Sequence, residues 1–154
     1  MPYTINFDDL TTGSSEFGRF PAGYGGLTWT FEGLYDITCV TGTYASWNKA
    51  GFSPQNAVYA NPFVANPPGF SAPQGSSMRL ISFLAAMPAG EVGVVVTAKR
   101  NGETYTAVIN VTPTAQLFIR ETHMPDIPDT VDSISFGSHR LALLLDDLVL
   151  CVGP

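Results

Sequence analysis

The stretch Leu141–Cys151, Leu-Ala-Leu-Leu-Leu-Asp-Asp-Leu-Val-Leu-Cys, is almost continuously apolar until two adjacent acids interrupt it. Strands that are buried on both faces read as apolar runs, whereas strands with one solvated face alternate apolar and polar residues. The run therefore predicts a central strand of a sheet. A near-copy of its acidic motif, Asn-Phe-Asp-Asp-Leu, stands at Asn6–Leu10, so both ends of the chain carry paired acids between apolar residues.

Runs rich in Val, Ile, Thr, Tyr and Phe are separated by Gly and Pro along most of the chain, and this pattern predicts many short strands. The predicted strands are Tyr3–Phe7, Leu27–Phe31, Leu34–Val40, Ala57–Ala60, Glu91–Lys99, Glu103–Val111, Gln116–Glu121, Val131–Phe136 and Leu141–Cys151. Asn101-Gly102 predicts a hairpin with a type I′ turn, because both residues accept the positive φ angles that this turn requires. Met78–Met87 fits a helical stripe as well as a buried strand, and its Gly-Ser-Ser and Pro-Ala-Gly flanks favour the strand.

The order of these elements predicts the fold class. Short strands follow one another without the helices that would connect parallel neighbours. The sequence therefore predicts an all-β fold, a two-sheet antiparallel β-sandwich of the jelly-roll type, formed as a single domain over residues 1–154.

Composition excludes some partners. Of the 154 residues, 13% are charged and 45% hydrophobic, and the net charge is -6. Such a chain cannot neutralise a run of phosphates, which argues against nucleic acid. The sequence contains no apolar run long enough to cross a bilayer, so no membrane partner is expected either.

The sequence says less about the cellular location of the protein and about the redox state of its two cysteines. The N-terminus lacks the basic-then-apolar order of a secretion signal. The chain is therefore cytoplasmic or the mature form of an exported protein, and we expect the secreted form. Cys39 and Cys151 fit either a disulfide or two separate thiols. The sequence leaves the oligomeric state open.

The paired acids have more than one interpretation. If the first and last strands lie side by side, Asp8 or Asp9 comes close to Asp146 or Asp147, where the carboxylates would repel each other. In the first interpretation, these acids begin a turn and cap backbone amides at a bulge. In the second, they bind calcium, which takes six to eight oxygen ligands from carboxylates, carbonyls and water. A glycosidase-like acid and base pair is a third interpretation, which their position on framework strands disfavours.

Several short motifs occur in a recognisable order. They are Phe-Asp-Asp-Leu near the start, Pro21–Trp29, Ala57–Asn61, Arg79–Phe83, Asn101–Tyr105, Val131–Phe136 and Leu145–Leu150. This pattern resembles a group of small secreted β-sandwich proteins from bacteria and fungi, which in turn resemble jelly-roll carbohydrate-binding modules with a structural calcium near the chain ends. The resemblance implies the same fold and strengthens the calcium interpretation without deciding for it. Within Pro21–Trp29, we expect Tyr24 and Trp29 to be core aromatics rather than ligand contacts.

Two stretches, Thr41–Asn56 and Asn61–Ser77, are long, rich in turn residues and loaded with aromatics, and long loops of this kind tend to be functional. Sugars bind to flat aromatic rings, with amides and carboxylates taking the hydroxyls. We therefore predict a non-catalytic carbohydrate-binding protein, a lectin or module, with Trp47 as the leading contact. The other candidate contacts are Tyr44, Asn48, Phe52, Gln55, Asn61, Phe63, Asn66 and Phe70.

An enzyme acting on a small apolar molecule is the alternative. A cyclase or pericyclase, such as a Diels-Alderase-like protein, needs little more than a shaped apolar cavity and a donor that polarises a carbonyl. The candidate donors are Lys49, Arg79, Arg120 and His123. The sequence has no Gly-x-Ser-x-Gly elbow, phosphate loop or His-rich cluster, so no catalytic residue is assigned and no organic cofactor is expected. A third possibility is a surface protein that binds itself or a matrix.

Overall fold

The chain forms short strands with one short helix in the part that the structure describes. The computed structural model describes residues 1–10, 17–19, 21–30, 38–41, 56–60, 69–87, 90, 92–137 and 143–154. In chain order the elements are β1 (Tyr3–Ile5), β2 (Phe17–Arg19), a 3₁₀ turn (Tyr24–Gly26), β3 (Thr28–Thr30), β4 (Thr38–Thr41), β5 (Asn56–Ala60), β6 (Gly69–Ser71), β7 (Ser77–Ala86), β8 (Val92–Arg100), β9 (Glu103–Val111), β10 (Gln116–Ile119), α1 (Arg120–His123), β11 (Ser133–Gly137) and β12 (Leu143–Gly153).

These strands form two antiparallel sheets. The first has the order β10-β7-β12-β5-β4-β2, and the second has the order β3-β6-β11-β8-β9. β7 pairs along one edge of β12, while the other edge is shared by β5 at Leu143–Leu145 and by β1 at Leu148–Leu150. The predicted two-sheet antiparallel sandwich is confirmed, and so is the central position of the last strand. The prediction of a single domain over the whole chain stays a prediction.

The core lies between the sheets and is crossed by a line of aromatic rings. Trp29 packs against Phe70 with ring centroids 5.3 Å apart, and Phe70 packs against Phe136 at 6.3 Å. Phe136 meets Phe83 of the opposite sheet edge-on at 5.4 Å, and Phe83 stacks on Phe118 at 5.6 Å. Tilted and edge-to-face pairs of this kind add to the stability that burial alone provides. Trp29 therefore has the core position that the sequence predicts.

The hairpin and the ambiguous strand follow the sequence closely. Asn101 and Gly102 have φ angles of 51° and 83°, as a type I′ turn requires. The turn brings β8 and β9 into an unbroken register from Arg100–Glu103 to Val92–Val111. β7 pairs with β10 on one side and β12 on the other, so Met78–Ala86 is a strand and not a helix.

The predicted strand Gln116–Glu121 ends earlier than expected. β10 stops at Ile119, and the chain continues as the single turn α1. The strand does not continue because Met124 and Ile127, which follow it, are buried, at 0% and 1% exposed. A chain that left the sheet in an extended conformation could not bury these two side chains. The segment after β10 therefore closes one end of the sandwich.

A short strand also lies inside the stretch Asn61–Ser77, which was predicted as a loop. β6 pairs with β3 and β11, so Gly69–Ser71 is part of the second sheet. A Cβ atom on Gly69 would collide with the carbonyl oxygen of Ile134, so the close approach of β6 and β11 requires glycine here. Three residues carry too little periodicity to be recognised as a strand in the sequence.

Strand register separates the two cysteines. Cys39 pairs with Val58, and Val58 pairs with Leu145, six residues before Cys151 on β12. At about 3.3 Å per residue, the Cα atoms of the cysteines lie roughly 17 to 20 Å apart along the strand direction. A disulfide requires Cα atoms within about 7 Å. The register therefore decides between the two possibilities in favour of separate thiols.

We expect two titratable thiols per chain when protein purified without reductant is unfolded and treated with a thiol reagent. The same preparation should migrate identically with and without reductant on a denaturing gel. An intramolecular bond would instead leave no thiol to titrate and would give faster migration without reductant.

Candidate functional site

The two chain ends meet at one place in the first sheet. β1 leaves β12 after the Ile5–Leu148 pair, and the chain turns back at once, with the N–H of Leu10 donating to the carbonyl oxygen of Phe7 at 3.1 Å. Asp8 and Asp9 occupy the middle of this turn. We call this turn and the facing part of β12 the terminal junction.

The facing part of β12 contains a bulge. Asp146 pairs with Leu84 and Val149 with Ser82, so β12 has one extra residue here. Asp147 lies in the bulge with a φ of 44°, and its N–H donates to Oδ1 of Asp146 at 2.8 Å. Asp146 is 0% exposed. The geometry therefore agrees with the interpretation of the acids as turn and bulge residues.

The pKa of Asp147 indicates that acids from the two ends of the chain lie near each other. Burial raises the pKa of the Asp147 carboxyl, and the nearby charge of Asp8 raises it further. Both causes disfavour the ionised form of Asp147. The expected approach of the terminal acids is thus realised by Asp8 and Asp147.

The terminal junction offers limited ligands for a metal. Among the residues that the structure describes, no group of three or more His, Cys, Asp and Glu side chains is placed to hold a metal ion. The junction brings together Asp8 and Asp147, beside the carbonyls of a turn and a bulge. Oxygen ligands of this type suit a hard cation such as calcium better than a transition metal.

A pocket of about 470 Å³, open to solvent, lies beside the terminal junction. It is lined by Tyr3, Thr4, Ile5, Asn6, Asp9, Tyr24 and Gly25. We call it the tyrosine pocket. One wall of the pocket is the turn Tyr24–Gly26. Gly23, just before this turn, and Gly25, within it, have φ angles of 73° and 64°. A Cβ atom on Gly25 would lie 2.5 Å from Cδ1 of Ile5 and would displace that side chain, and the φ of 64° also favours glycine here.

Hydrogen bonds hold both tyrosine rings in place. The hydroxyl of Tyr3 donates to the carbonyl oxygen of Gly25 at 2.9 Å, and the hydroxyl of Tyr24 donates to Oδ1 of Asp9 at 2.5 Å. Nε1 of Trp29 donates to the backbone oxygen of Tyr24 at 2.8 Å. The ring of Tyr24 also packs against Phe7, with centroids 5.9 Å apart. Both rings are half-buried and fixed before any ligand arrives.

A second open pocket of about 500 Å³ has a different character. It is lined by Ser71, Ala72, Pro73, Gln74, Gly75, Ser76, Ser77, Asn101, Asp132, Ser133 and Pro154. No aromatic ring is among these residues. Asp132 already accepts the backbone N–H of Asn101 at 2.7 Å, which ties the hairpin turn to β11. We therefore treat the tyrosine pocket as the candidate functional site.

All but one of the residues predicted to contact a ligand lie outside the described residues. These are Tyr44, Trp47, Asn48, Phe52, Gln55, Asn61, Phe63 and Asn66. Phe70 is described, and it is 1% exposed in the core between Trp29 and Phe136. It is a core residue and not an exposed ring, because β6 turns its side chain toward the opposite sheet.

The predicted donors that can be located serve the fold. Arg79 and Arg120 both bind the carboxylate of Asp129, at 3.1 and 3.0 Å, and Arg120 also donates to the carbonyl oxygen of Ile127 at 3.0 Å. Nδ1 of His123 accepts the N–H of Ile119 at 2.9 Å. These contacts hold the closing segment after β10 against β7. Lys49 lies outside the described residues.

Sequence reasoning missed the tyrosine pocket. Tyr3 was assigned to a strand and Tyr24 to the core, and Asn6 was not considered. One signal was present: Pro-Ala-Gly-Tyr-Gly-Gly places a tyrosine among glycines, whose turn keeps part of the ring at the surface. The partner strand of that turn could not be read from the sequence.

Comparison with known proteins supports the fold. No protein-family model matches the chain, and no curated protein matches it. Among solved structures, it is similar to the CBM22-1 xylan-binding domain of Xyn10C from Paenibacillus barcinonensis. The identity is 14% and the TM-score 0.50, over 97% of this chain and 92% of that one. The chain therefore shares the β-sandwich fold of that domain. In the described part, no helix is long and apolar enough to span a membrane.

We expect Asp147→Asn to raise the free energy of unfolding near neutral pH in a chelating buffer. The pKa of Asp147 is raised in the folded state, so the folded chain binds more protons than the unfolded chain between the ordinary and the raised pKa. Stability should therefore fall as the pH rises across that window, and asparagine removes this loss. Asparagine also tolerates positive φ.

Urea unfolding of both proteins from about pH 3 to about pH 8 measures the difference. The advantage of the variant should be smallest in acid, where the aspartate is protonated in both states. Asp126→Asn, which changes an exposed acid outside the terminal junction, is the control. An advantage that does not depend on pH would contradict the electrostatic explanation.

Proposed function

We propose that this protein is a non-catalytic carbohydrate-binding module and that the tyrosine pocket binds a neutral glycan. The observation that carries the proposal is the composition of this pocket: two tyrosine rings fixed by hydrogen bonds, beside the carboxylate of Asp9 and the amide of Asn6. Rings of this kind pack against the C–H face of a pyranose, while carboxylates and amides bind its hydroxyls.

Asp9 is the main polar contact in this proposal. Its side chain is exposed, and its Oδ1 accepts one hydrogen bond from Tyr24. A carboxylate has about four acceptor positions on two oxygens, so it can take neighbouring sugar hydroxyls as well. Hydrogen bonds to a charged acceptor are the stronger ones. Asp9 would therefore contribute both affinity and orientation.

Charge favours a neutral ligand over an acidic one. Asp9 lines the pocket, Asp8 stands next to it in sequence, and none of the lining residues that the structure describes is Lys, Arg or His. The whole chain has a net charge of -6. A uronate or a sulfated sugar would be repelled by the carboxylate of Asp9. Neutral polysaccharides should bind better than anionic ones of similar length.

The fold supports the same function. Its structural neighbour is described as a xylan-binding domain, and the two share the sandwich over nearly their whole length. Export from the cell, which we expect from the sequence, is part of the proposal. The aromatic loop residues around Trp47 remain predicted contacts of the same ligand.

The enzyme alternative is less well supported by the described residues. It requires an enclosed apolar cavity with one donor, whereas both pockets described above open to solvent. Arg79 and Arg120, two of its candidate donors, are engaged in ion pairs. The alternative stays a prediction for the loops that contain Lys49 and Trp47.

When soluble neutral polysaccharides such as xylan, mixed-linkage β-glucan and galactomannan are titrated into the protein, we expect one of them to give a saturable shift in tryptophan fluorescence. Trp29 is 7% exposed and packs 6.4 Å from the ring of Tyr24, so its fluorescence should report on the tyrosine pocket. In Trp47→Phe, which leaves Trp29 as the single tryptophan, the shift should persist. Asp9→Ala should weaken binding about 10- to 100-fold, as the loss of a charged hydrogen bond of about 1.5–3 kcal/mol implies.

Calorimetry provides the control that does not depend on fluorescence. Asp126→Ala makes the same chemical change at an exposed position outside the pocket and should bind like the unchanged protein. Unchanged affinity in Asp9→Ala would show that the ligand binds elsewhere, and loss in Trp47→Ala alone would place it on that loop. If no neutral polysaccharide gives a heat of binding, the carbohydrate proposal fails.

We also propose that calcium binds at the terminal junction, where it would offset the repulsion between Asp8 and Asp147. Asp9 and Asp146 stand beside them in sequence and remain predicted ligands. A ligand that binds only the folded state, present at about 100 times its Kd, stabilises by about 2.7 kcal/mol. Millimolar calcium should therefore raise the melting temperature relative to a chelator.

The double variant Asp8→Asn/Asp147→Asn should lose this response to calcium while it keeps or gains stability in the chelator. Magnesium is the matched control ion, because it dehydrates reluctantly and demands a stricter geometry. Equal melting temperatures of the unchanged protein in calcium and in chelator would contradict the calcium proposal and leave the acids as turn and bulge residues.

A further inference from the structure

β9 is the last strand of the second sheet, and among the described strands nothing pairs with its outer edge. It is nine residues long. The other end strands are much shorter, with three residues in β2 and β3 and four in β10. Short edge strands are protected from further pairing, whereas a long one is a template for another strand. β9 is therefore the open edge that most needs an explanation.

The hairpin turn fixes which backbone groups lie on this edge. With a two-residue turn, Arg100 and Glu103 exchange hydrogen bonds, so every second residue from Glu103 onward bonds to β8. The remaining residues, Thr104, Thr106, Val108 and Asn110, point their N–H and C=O groups away from β8. The side chains of these four residues are also exposed, and Val108 is 67% exposed.

β9 lacks the features that usually block an edge. Natural edge strands carry lysines, prolines or bulges that prevent pairing. β9 has no lysine, arginine or proline, and its single charge is Glu103 at the first position. Its pairing with β8 runs through nine consecutive residue pairs without a bulge. The strand is thus regular and nearly uncharged.

We propose that β9 pairs with β9 of a second copy of this chain, antiparallel and about a two-fold axis at Ala107. Outward-pointing residues must face outward-pointing residues, which restricts the register. The axis at Ala107 pairs the whole strand and places Thr106 opposite the partner's Val108. Thr104 then faces the partner's Asn110.

Charge and packing favour this register over its neighbours. Glu103 lies opposite the partner's Val111, so the two glutamates stand at opposite ends of the new pair and do not repel. On the inner face, Tyr105 meets the partner's Ile109, and aromatic and β-branched side chains pair well across strands. The two five-stranded sheets then form one continuous sheet across the dimer.

The dimer would present two copies of the tyrosine pocket on one particle. When both engage one polysaccharide, the second binding event becomes intramolecular, and avidity increases without a new contact. The dimer itself does not rest on the proposed function, because the pairing depends on β9 alone.

Sedimentation of the whole chain over a range of micromolar concentrations tests the proposal. The mass should rise from 16.5 kDa toward twice that value with increasing concentration. Val108→Pro removes one outward N–H that β8 does not use, and a proline is tolerated on such an edge. This variant should remain monomeric with an unchanged β-sheet circular dichroism spectrum. Val108→Thr, which keeps the N–H, should dimerise like the unchanged protein.

A charge pair tests the register without proline. Thr106→Lys/Val108→Lys places introduced lysines opposite each other in the partner strands and should abolish the dimer. Thr106→Lys/Val108→Glu places opposite charges at the same positions and should restore it. A monomer at every concentration overturns the proposal, and so does a dimer that Val108→Pro and the double lysine variant leave intact. Failure of sugar binding would not affect either result.

Discussion

The hydrogen bonding of β12 along both of its edges is the constraint on which the rest of the structure depends. β7 occupies one edge, and β5 and β1 share the other, so the last strand of the chain holds the first strand in place. Leu144, Leu148 and Leu150 are 0% exposed along this strand. Burial of a leucine contributes about 1.5–3 kcal/mol, so the strand can tolerate an acidic bulge in its middle.

That bulge links the scaffold to the candidate site. Along β12, pairing with β5 stops at Leu145, before the bulge, and pairing with β1 starts at Leu148, after it. The turn that follows β1 carries both Asp8 and Asp9. Asp8 faces the bulge and raises the pKa of Asp147, while Asp9 turns toward the ring of Tyr24. Neighbouring acids thus have different surroundings, one electrostatically unfavourable and one hydrogen-bonded. The tyrosine pocket depends on the terminal junction because the same turn forms both.

The second sheet contributes differently. Its inner face contributes Phe70 and Phe136 to the line of aromatic rings in the core. Its outer edge at β9 is not paired with any of the described strands. The hairpin at Asn101 sets the length of that edge, because its tight turn keeps β8 and β9 in register along their full length. The proposed pairing of β9 would place two copies of the proposed binding pocket on one particle, which could engage a repeating polymer at more than one point.

The sequence by itself determined the elements whose signal is local. The period of apolar residues predicted the strands, the Asn-Gly pair predicted the hairpin, and the apolar run Leu141–Cys151 predicted a central strand, because each signal depends on neighbours along the chain. Tertiary structure alone decided the rest. It buried Phe70 in a three-residue strand, separated Cys39 from Cys151, and brought the Tyr24 turn against β1. Such contacts depend on strand order and register, which join residues far apart in the chain and leave no periodic mark in the sequence.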